Sequence, residues 1–464
     1  MVFEIEKARE ELIRFLCRRI ADSGGRAFFV GGVVRDRFLN RKPKDIDVEV
    51  YGLSLERLEQ VLAERGRVSL VGRQFGVFRV WGLDVDWSLP RRDSRGRHPV
   101  VEIDPSMSPK EASRRRDLTM NAMLRDVLTD ELIDHWGGRK DIERKILRTP
   151  DEALFVEDPL RFYRVMQFAA RFEMTPDKAL EAVCAQMDIS RVSVQRVEEE
   201  FAKLFLEADR PSLGLRWLDR IGRLGGVFPE LAHLKGTPQE PAWHPEGDVW
   251  LHSLQVVDAA AALRSGSRER DLMLIWAALL HDIGKPATTT ERAGKIRTPE
   301  HDREGEALAR SVLQRMVKKH SVIRGTVKLV GQHMKPLQFY QNKSSEKAFK
   351  RLAVKLAPEA DLELLAALAL ADCRGMNPHG ELPLETDSEM VSWFLDMARA
   401  SRVSKEPEKP VLMGRHLKGL VEPGPRMGEV LETAYRIQLE EGIRDTGELK
   451  KRAFKEAGEK FETT

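Results

Sequence analysis

The run Phe28-Phe29-Val30-Gly31-Gly32-Val33-Val34-Arg35-Asp36, followed by Lys44-Asp45-Ile46-Asp47-Val48-Glu49-Val50, decides the fold. An apolar strand breaks at Gly31-Gly32 and resumes as a helix containing Arg35, which brings bare backbone amides and a cation to where a triphosphate can sit. Side chains alternate along a strand, so Asp45 and Asp47 point one way while Ile46 and Val48 point into a core. Paired hard carboxylates suit Mg²⁺. The metal and its phosphate cradle then lie side by side. Taken singly, Gly31-Gly32 also reads as an ordinary tight turn and Asp-Ile-Asp as an exposed strand end.

Three further blocks follow in order: Arg115-Arg116-Asp117-Leu118-Thr119-Met120-Asn121-Ala122-Met123, then Val156-Glu157-Asp158-Pro159-Leu160-Arg161-Phe162-Tyr163-Arg164 with Ala169-Ala170-Arg171-Phe172, then Ser193-Val194-Gln195-Arg196-Val197-Glu198-Glu199-Glu200. With the first run they resemble the polymerase-β nucleotidyltransferase superfamily, more narrowly the class II tRNA nucleotidyltransferases and bacterial poly(A) polymerases. Four blocks in the family order over the first half of the chain argue against coincidence. The resemblance implies that Asp45 and Asp47 are catalytic metal ligands. It implies that Gly31, Gly32, Arg35, Arg116, Asp117 and Asn121 hold the nucleotide, that Asp158 and Arg161 read the incoming base, and that Arg164 touches phosphate.

The residues alone give a partial reason for that base choice. Asp158 and Arg161 at i, i+3 can share a helix face and offer an acceptor and a fork of donors to a base edge. A guanidinium satisfies the O2 and N3 acceptors of cytosine while a carboxylate takes its amino group, which rejects uracil without a nucleic-acid template. An Asp before Pro equally reads as an N-cap with Pro at the first helical position. Asp86, in Leu83-Asp84-Val85-Asp86-Trp87, reads either as a third carboxylate from an adjacent strand or as an exposed strand residue.

A second constellation lies downstream. Trp250-Leu251-His252-Ser253, Ala278-Leu279-Leu280-His281-Asp282-Ile283-Gly284-Lys285-Pro286 and Ala369-Leu370-Ala371-Asp372 resemble the H … HD … D signature of HD-domain phosphohydrolases. Adjacent His281 and Asp282, completed by His252 and Asp372, give mixed N/O ligation that suits Mn²⁺, Ni²⁺, Fe²⁺ or Mg²⁺ better than a structural zinc. His301 and His333 fall where dinuclear members of that family place extra histidines. The resemblance implies phosphodiesterase or phosphatase activity on nucleotide or RNA-terminal phosphates.

With 464 residues, the chain exceeds one compact core, and about 150 residues per domain suggests roughly three units. The expected class is α+β. Short Val- and Phe-rich runs at Ala27 to Val30, Ile46 to Val50, Gly76 to Val80 and Asp84 to Leu89, with a helix near Leu55 to Glu64, make a small mixed α/β head, polymerase-β-like by resemblance, over residues 1–148. Helical periodicity from Asp158 predicts an all-α neck and body over 149–236. An α-helical HD domain is expected over 237–395 and a helical tail over 396–464. Gly and Pro in Leu234 to Pro241 mark a linker or long loop, and Lys405 to Pro410 a further break.

Charged residues make up 33 % and aromatics 7 %, with a mean hydropathy of −0.40, which fits a helix-rich protein with solvated faces. No run approaches the length of a membrane span, and Glu4 to Glu11 reads as a charged helix start, not a signal peptide, so a cytoplasmic location is expected. Cys17, Cys184 and Cys373 are far apart and indicate neither disulfides nor a thiolate metal site. A net charge of +3 and a pI near 8.6 do not by themselves indicate nucleic acid; the clusters Arg91-Arg92-Asp93-Ser94-Arg95-Gly96-Arg97-His98 and Arg114-Arg115-Arg116 carry that signal.

The resemblance implies a tRNA nucleotidyltransferase adding CCA, or CC or A alone, to the tRNA 3′ end from CTP and ATP. Mg²⁺ is expected in the head and a transition metal in the HD domain. A poly(A) polymerase is the nearest rival; against it, Val71-Gly72-Arg73-Gln74-Phe75-Gly76-Val77-Phe78 lacks the second basic residue after glycine that marks those enzymes. An HD phosphohydrolase or RNA-binding protein with an idle head is the other. The Arg92 to Ser113 segment, slightly shorter than in complete CCA-adding enzymes, leaves the extent of addition open.

Overall fold

The computed structural model describes residues 7–71, 76–93, 101–379 and 382–456. Residues 72–75 of the Val71 to Phe78 run and 94–98 of the basic run therefore lie outside the described residues, as does part of the Arg92 to Ser113 segment. Two compact units are present: residues 1–204 with 213–223, and residues 205–212 with 224–464.

The first unit is built on β1 (Arg26–Val30), β2 (Asp47–Tyr51), β3 (Val68–Val71), β4 (Val77–Val80), β5 (Leu83–Ser88), β8 (Leu124–Asp126) and β9 (Leu132–Ile133), in the order β3-β4-β5-β2-β1-β8-β9; β6 (Arg91–Asp93) and β7 (Val101–Ile103) form a separate ribbon. β2 and β5 are parallel, and every other adjacent pair is antiparallel. The mixed α/β head expected from the sequence is present, and β1, β2, β4 and β5 fall within a residue or two of the apolar runs, whereas β3, β6 and β7 were not anticipated. The short β8 and β9 were not anticipated, because two or three residues carry no readable period.

The Lys7–Asp22 helix places Ile13, Leu16, Cys17 and Ile20 on one buried stripe, the i, i+3, i+4, i+7 spacing of a helix against a sheet. The Leu55–Ala63 helix starts at Ser54, whose hydroxyl accepts the Arg57 N–H. The Leu160–Arg171 helix buries Phe162, Val165, Met166 and Phe168, and Trp217 packs on Phe162 with ring centroids 5.4 Å apart. Of the expected neck and body, residues 149–204 and 213–223 share the head's unit and 205–212 and 224–236 do not; within that unit Arg35 lies 4.7 Å from the Phe172 ring centroid and 5.5 Å from that of Phe168.

The second unit is helical. Val249–Ala262, Arg268–Leu280 and Leu362–Gly375 are apolar almost all round, because each is enclosed by neighbouring helices. His301–Met316 and His320–Gln332 complete the bundle. Leu234 to Pro241 is a long loop tied down along its length: Thr237 and Gln239 are buried, and the Gly236 N–H donates to Asp248 at 2.8 Å. At the C-terminal end, Pro425–Glu441 and Thr446–Glu456 close over a small core of Leu417, Val430, Ile437, Leu449 and Phe454. No helix among the described residues is long and apolar enough to cross a membrane.

Backbone contact at Gly138 yields a stability prediction. A Cβ there would lie 2.2 Å from the Thr119 carbonyl oxygen, which belongs to the turn carrying Asn121. Gly138→Ala should therefore cost about 1–3 kcal/mol in urea unfolding, whereas Gly226→Ala, with nothing within 4 Å, should be neutral or slightly stabilising. Equal midpoints for the two variants would contradict this packing.

Candidate functional site

In the first unit the site begins with the pleat of β2. Ile46, Val48 and Val50 are buried on one face, while Asp47 and Glu49 lie on the other. Asp45 sits in the bend just before β2, not within it, and is exposed. Asp47 faces Asp86 in the parallel register and Val30 in the antiparallel one. Gly31 follows Val30 with φ 69°, and a Cβ there would stand 3.8 Å from Asp47 Oδ2 and 3.7 Å from Arg116 Nη1. Glycine both makes the turn and keeps the ground before Asp47 clear.

Burial raises the Asp47 pKa; Arg116 opposes this, and the like charges of Asp86, Asp45 and Glu49 add to it. A crowded oxygen set of this kind fits a hard divalent cation, which would relieve the repulsion. Asp86 forms a bidentate pair with Arg79. Glu49, not singled out from the sequence, is 2 % exposed, accepts the Tyr51 hydroxyl at 2.6 Å and lies 3.4 Å from Arg116 Nη2. Its signal was present: Asp45-Ile46-Asp47-Val48-Glu49 continues the same alternation.

Arg35 corrects an expectation. It is buried, donating to Asp36 Oδ1 and Asn121 Oδ1, each at 2.8 Å, and lying over two phenylalanine rings, instead of standing open as the sequence suggests. From it runs a continuous polar chain. Asn121 Nδ2 donates to Asp117 Oδ1 at 2.9 Å, and Arg164 Nε donates to Asp117 Oδ2 at 2.6 Å. Burial alone would raise the Asp117 pKa, but Arg164 and the hydrogen bonds win and hold it at about 2. Arg164 is thereby committed to Asp117.

Asp158 precedes the Leu160–Arg171 helix, so it and Arg161 do not share a helical face in the manner expected. Asp158 Oδ1 accepts the Leu160 N–H at 3.1 Å, a capping bond, and Arg196 Nη2 approaches the same carboxylate at 3.2 Å. Arg161 donates to the Leu154 carbonyl at 2.8 Å and to the Arg115 carbonyl at 2.5 Å. The three sequence blocks thus meet, with Arg196 the member that sequence reasoning had quoted but not assigned.

In the second unit all six expected ligands converge. His252 Nε2 lies 3.0 Å from Asp372 Oδ1 and 3.8 Å from Asp282 Oδ2; His281 Nε2 lies 3.2 Å from Asp282 Oδ2. His301 and His333 approach Asp282 Oδ1 at 3.5 and 3.8 Å. The donors form two groups, His252, His281 and Asp372 beside Asp282, His301 and His333. Donors about 2 Å from a common ion lie roughly 3–3.5 Å apart, which these spacings approach.

The ring tautomers give an independent test of fit. Nδ1 of His281, His301 and His333 each donates to a carbonyl, of Ala278, Thr298 and Val330, at 2.7–2.9 Å. In the neutral rings every Nε2 is then a bare lone pair. Those of His301 and His333 face each other at 3.1 Å, and that of His281 is buried with no hydrogen-bond donor. Such facing lone pairs fit shared divalent cations. Burial, with His281 and His301 close by, lowers the His333 pKa to about 4. His252 runs the other way: Asp372 and Glu246 outweigh burial and raise it to about 9, so a cation there would displace a proton.

Residues not foreseen support this centre. Glu246 Oε1 lies 2.7 Å from His252 Nδ1 and 3.0 Å from His244 Nδ1. Lys285 Nζ lies 2.7 Å from both Asp282 Oδ2 and Gln239 Oε1. Gly284 is required for closeness: a Cβ would fall 2.2 Å from the His301 carbonyl oxygen.

Residues 27–148 match the Poly A polymerase head domain and residues 249–374 the HD domain. A Multifunctional CCA protein of Stenotrophomonas maltophilia is 38 % identical over 275 residues, which are 57 % of this chain and 65 % of that protein, so the chain spans just under two thirds of that relative's length. The Multifunctional CCA protein of Actinobacillus pleuropneumoniae is 31 % identical over 387 residues, 80 % of this chain and 90 % of that protein. The CCA-adding enzyme of Bacillus stearothermophilus, in complex with CTP, shares the fold with a TM-score of 0.65 at 18 % identity, over 97 % of this chain and 99 % of that one. With both domain matches in the order of the motifs, and identity above 30 % across nine tenths of a relative, the chain belongs to the multifunctional CCA protein family.

Proposed function

We propose that the protein adds CCA, or its CC or A portion, to the 3′ end of tRNA from CTP and ATP in the bacterial cytoplasm, and that its HD centre is a metal-dependent phosphohydrolase. The observation that carries the first activity is the Asp47 carboxylate face with Arg116 beside it, the chain neighbour of Asp117, which binds Asn121 and Arg164.

Divalent ions, Mg²⁺ in this reading, held by Asp45 and Asp47 would supply charge neutralisation for the attacking 3′-hydroxyl and the departing pyrophosphate. The chain's own contribution is position. Gly31 clears the approach to Asp47, while Arg116, countered by Glu49, stays rigid beside it. Asp117, fixed as an anion, locks Arg164 and Asn121 in place. Asp158 and Arg161, already steered by Arg196 and two backbone carbonyls, keep edge donors and acceptors for a base. In the HD centre His252, His281, Asp282, His301, His333 and Asp372 would hold Mn²⁺, Ni²⁺ or a similar ion, whose chemistry is activation of water toward phosphorus.

Three transcripts, ending before CCA, after C and after CC, each incubated with CTP or ATP alone, test the extent of addition. Growth of a long A tail on any of them would favour the poly(A) polymerase reading. Asp47→Ala should lower nucleotide addition to below about 1 % of wild type with tRNA affinity nearly kept, since phosphate contacts supply most of that affinity. Retained incorporation would remove Asp47 from the reaction.

Asp158→Ala should relax base choice by about 1–3 kcal/mol, read as UTP misincorporation. A lower melting temperature with unchanged nucleotide preference would leave only the capping bond. The combined His281→Ala and Asp282→Ala variant should lose hydrolysis of bis(4-nitrophenyl) phosphate and bound transition metal yet keep nucleotide addition within a few-fold. Loss of addition in a folded double variant would refute separate centres.

A further inference from the structure

The loop over residues 238–248 carries more than the groups that orient the HD centre. Gln239 engages Lys285 and Glu246 engages His252, but between them Trp243 stands 70 % exposed. No ring or cation contact with it is found among the described residues, so nothing within them accounts for an indole exposed in this loop. The turn that presents it is closed by Glu240, whose carbonyl accepts the N–H groups of Trp243 and His244 at 3.0 and 2.9 Å.

The Glu240 side chain reaches in the other direction. Its Oε2 accepts the Ile296 N–H at 3.1 Å and so pins the hairpin formed by Thr290–Arg292 and Lys295–Arg297. That hairpin connects the helix after Gly284 to His301, so both of its ends belong to the metal centre. Ala293 and Gly294 both have positive φ, 52° and 70°, the conformation of a tight two-residue hairpin turn. Arg292 pairs with Lys295 and Thr290 with Arg297, whereas Glu291 pairs with Ile296. Alternation then places Arg292, Lys295 and Arg297 on one face and Glu291 with the half-buried Ile296 on the other. Among the described residues none forms an ion pair with these three cations, and all three are exposed.

From this juxtaposition we propose that Trp243 and the Arg292, Lys295, Arg297 face form a landing surface for the unpaired 3′ end of an RNA, delivering its terminal phosphate ester to the HD centre. An exposed indole stacks any base, and a stripe of cations tracks the backbone, which is how single strands are held without sequence preference. The proposal rests on the HD centre's being a phosphohydrolase. The step is hydrolysis: a water oxygen bonds to phosphorus, the ester P–O bond breaks, and the leaving oxygen carries off the electron pair. Strand termini, not free nucleotides, are the substrates such a surface favours.

The experiment uses the full-length protein loaded with Mn²⁺ and two substrates sharing one scissile bond: bis(4-nitrophenyl) phosphate, and a short single-stranded oligoribonucleotide ending in a 3′-(4-nitrophenyl) phosphate. Trp243→Ala should raise KM for the oligonucleotide about tenfold and leave the small diester within twofold. The triple variant Arg292→Gln, Lys295→Gln, Arg297→Gln should flatten the slope of log KM for the oligonucleotide against log salt by about 2. Equal effects on both substrates, or on neither, would overturn the surface. If wild-type protein hydrolyses neither substrate, it is the phosphohydrolase reading that fails. The surface is then decided by hydrogen exchange: protection of 240–246 and 290–297 by the oligonucleotide supports it, and unchanged exchange there refutes it.

Discussion

Crowding of like charge is the constraint on which both centres depend. Asp47 faces Asp86 across two adjacent strands, with Asp45 and Glu49 beside it, and such carboxylates raise one another's cost of ionisation. The fold tolerates this because cations are built into the same framework: Arg116 against Asp47 and Glu49, and Arg79 on Asp86. Asp282 is handled likewise by Lys285, which is itself buried and shared with Gln239. Removing one partner from such a buried set exposes the full desolvation cost of the other. Each site is therefore a balance of charge within the protein that a bound cation would complete.

The same logic explains why two arginines that look like ligand-binding residues in the sequence are also tied into the fold. A guanidinium is always charged and offers five donors in a rigid fork, so it is the side chain able to tie several elements at once. Arg35 does this by bonding Asp36 and Asn121 while stacking on Phe168 and Phe172. Arg164 does it through Asp117. A motif arginine can thus serve the site by holding its wall.

How much was legible follows from the range of each signal. Most of the head strands and the adjacent His281-Asp282 pair are local patterns, and they reappear in the structure, whereas Asp45 falls in the bend before β2 and the other HD ligands come from distant positions that only the family signature links. β8 and β9 are too short to show a period. The partnership of Arg196 with Asp158 spans 38 positions, and that of Lys285 with Gln239 spans 46, so no local reading reaches them. The Gly and Pro content of Leu234 to Pro241 signalled a long loop correctly. What composition does not reveal is that Gln239 and Glu246, on either side of its end, are the groups that prepare Lys285 and His252.

The histidines of the HD centre differ in helix position. His281 and His333 end their helices, and each donates Nδ1 to the carbonyl three residues earlier, the Val330 carbonyl accepting the His333 backbone N–H as well. His301 begins its helix and uses Thr298, which precedes it. The terminus itself supplies the acceptor that leaves Nε2 bare toward the cation. His252 lies inside the Val249–Ala262 helix, and the carbonyl one turn before it, that of Asp248, already accepts the His252 backbone N–H. Glu246, from the loop before the helix, lies 2.7 Å from His252 Nδ1 as its ion-pair partner, although the contact lacks hydrogen-bond geometry. The ligand inside a helix is thus flanked by a carboxylate from a loop, where the ligands at helix ends use backbone carbonyls, so the loop is part of the centre's surroundings.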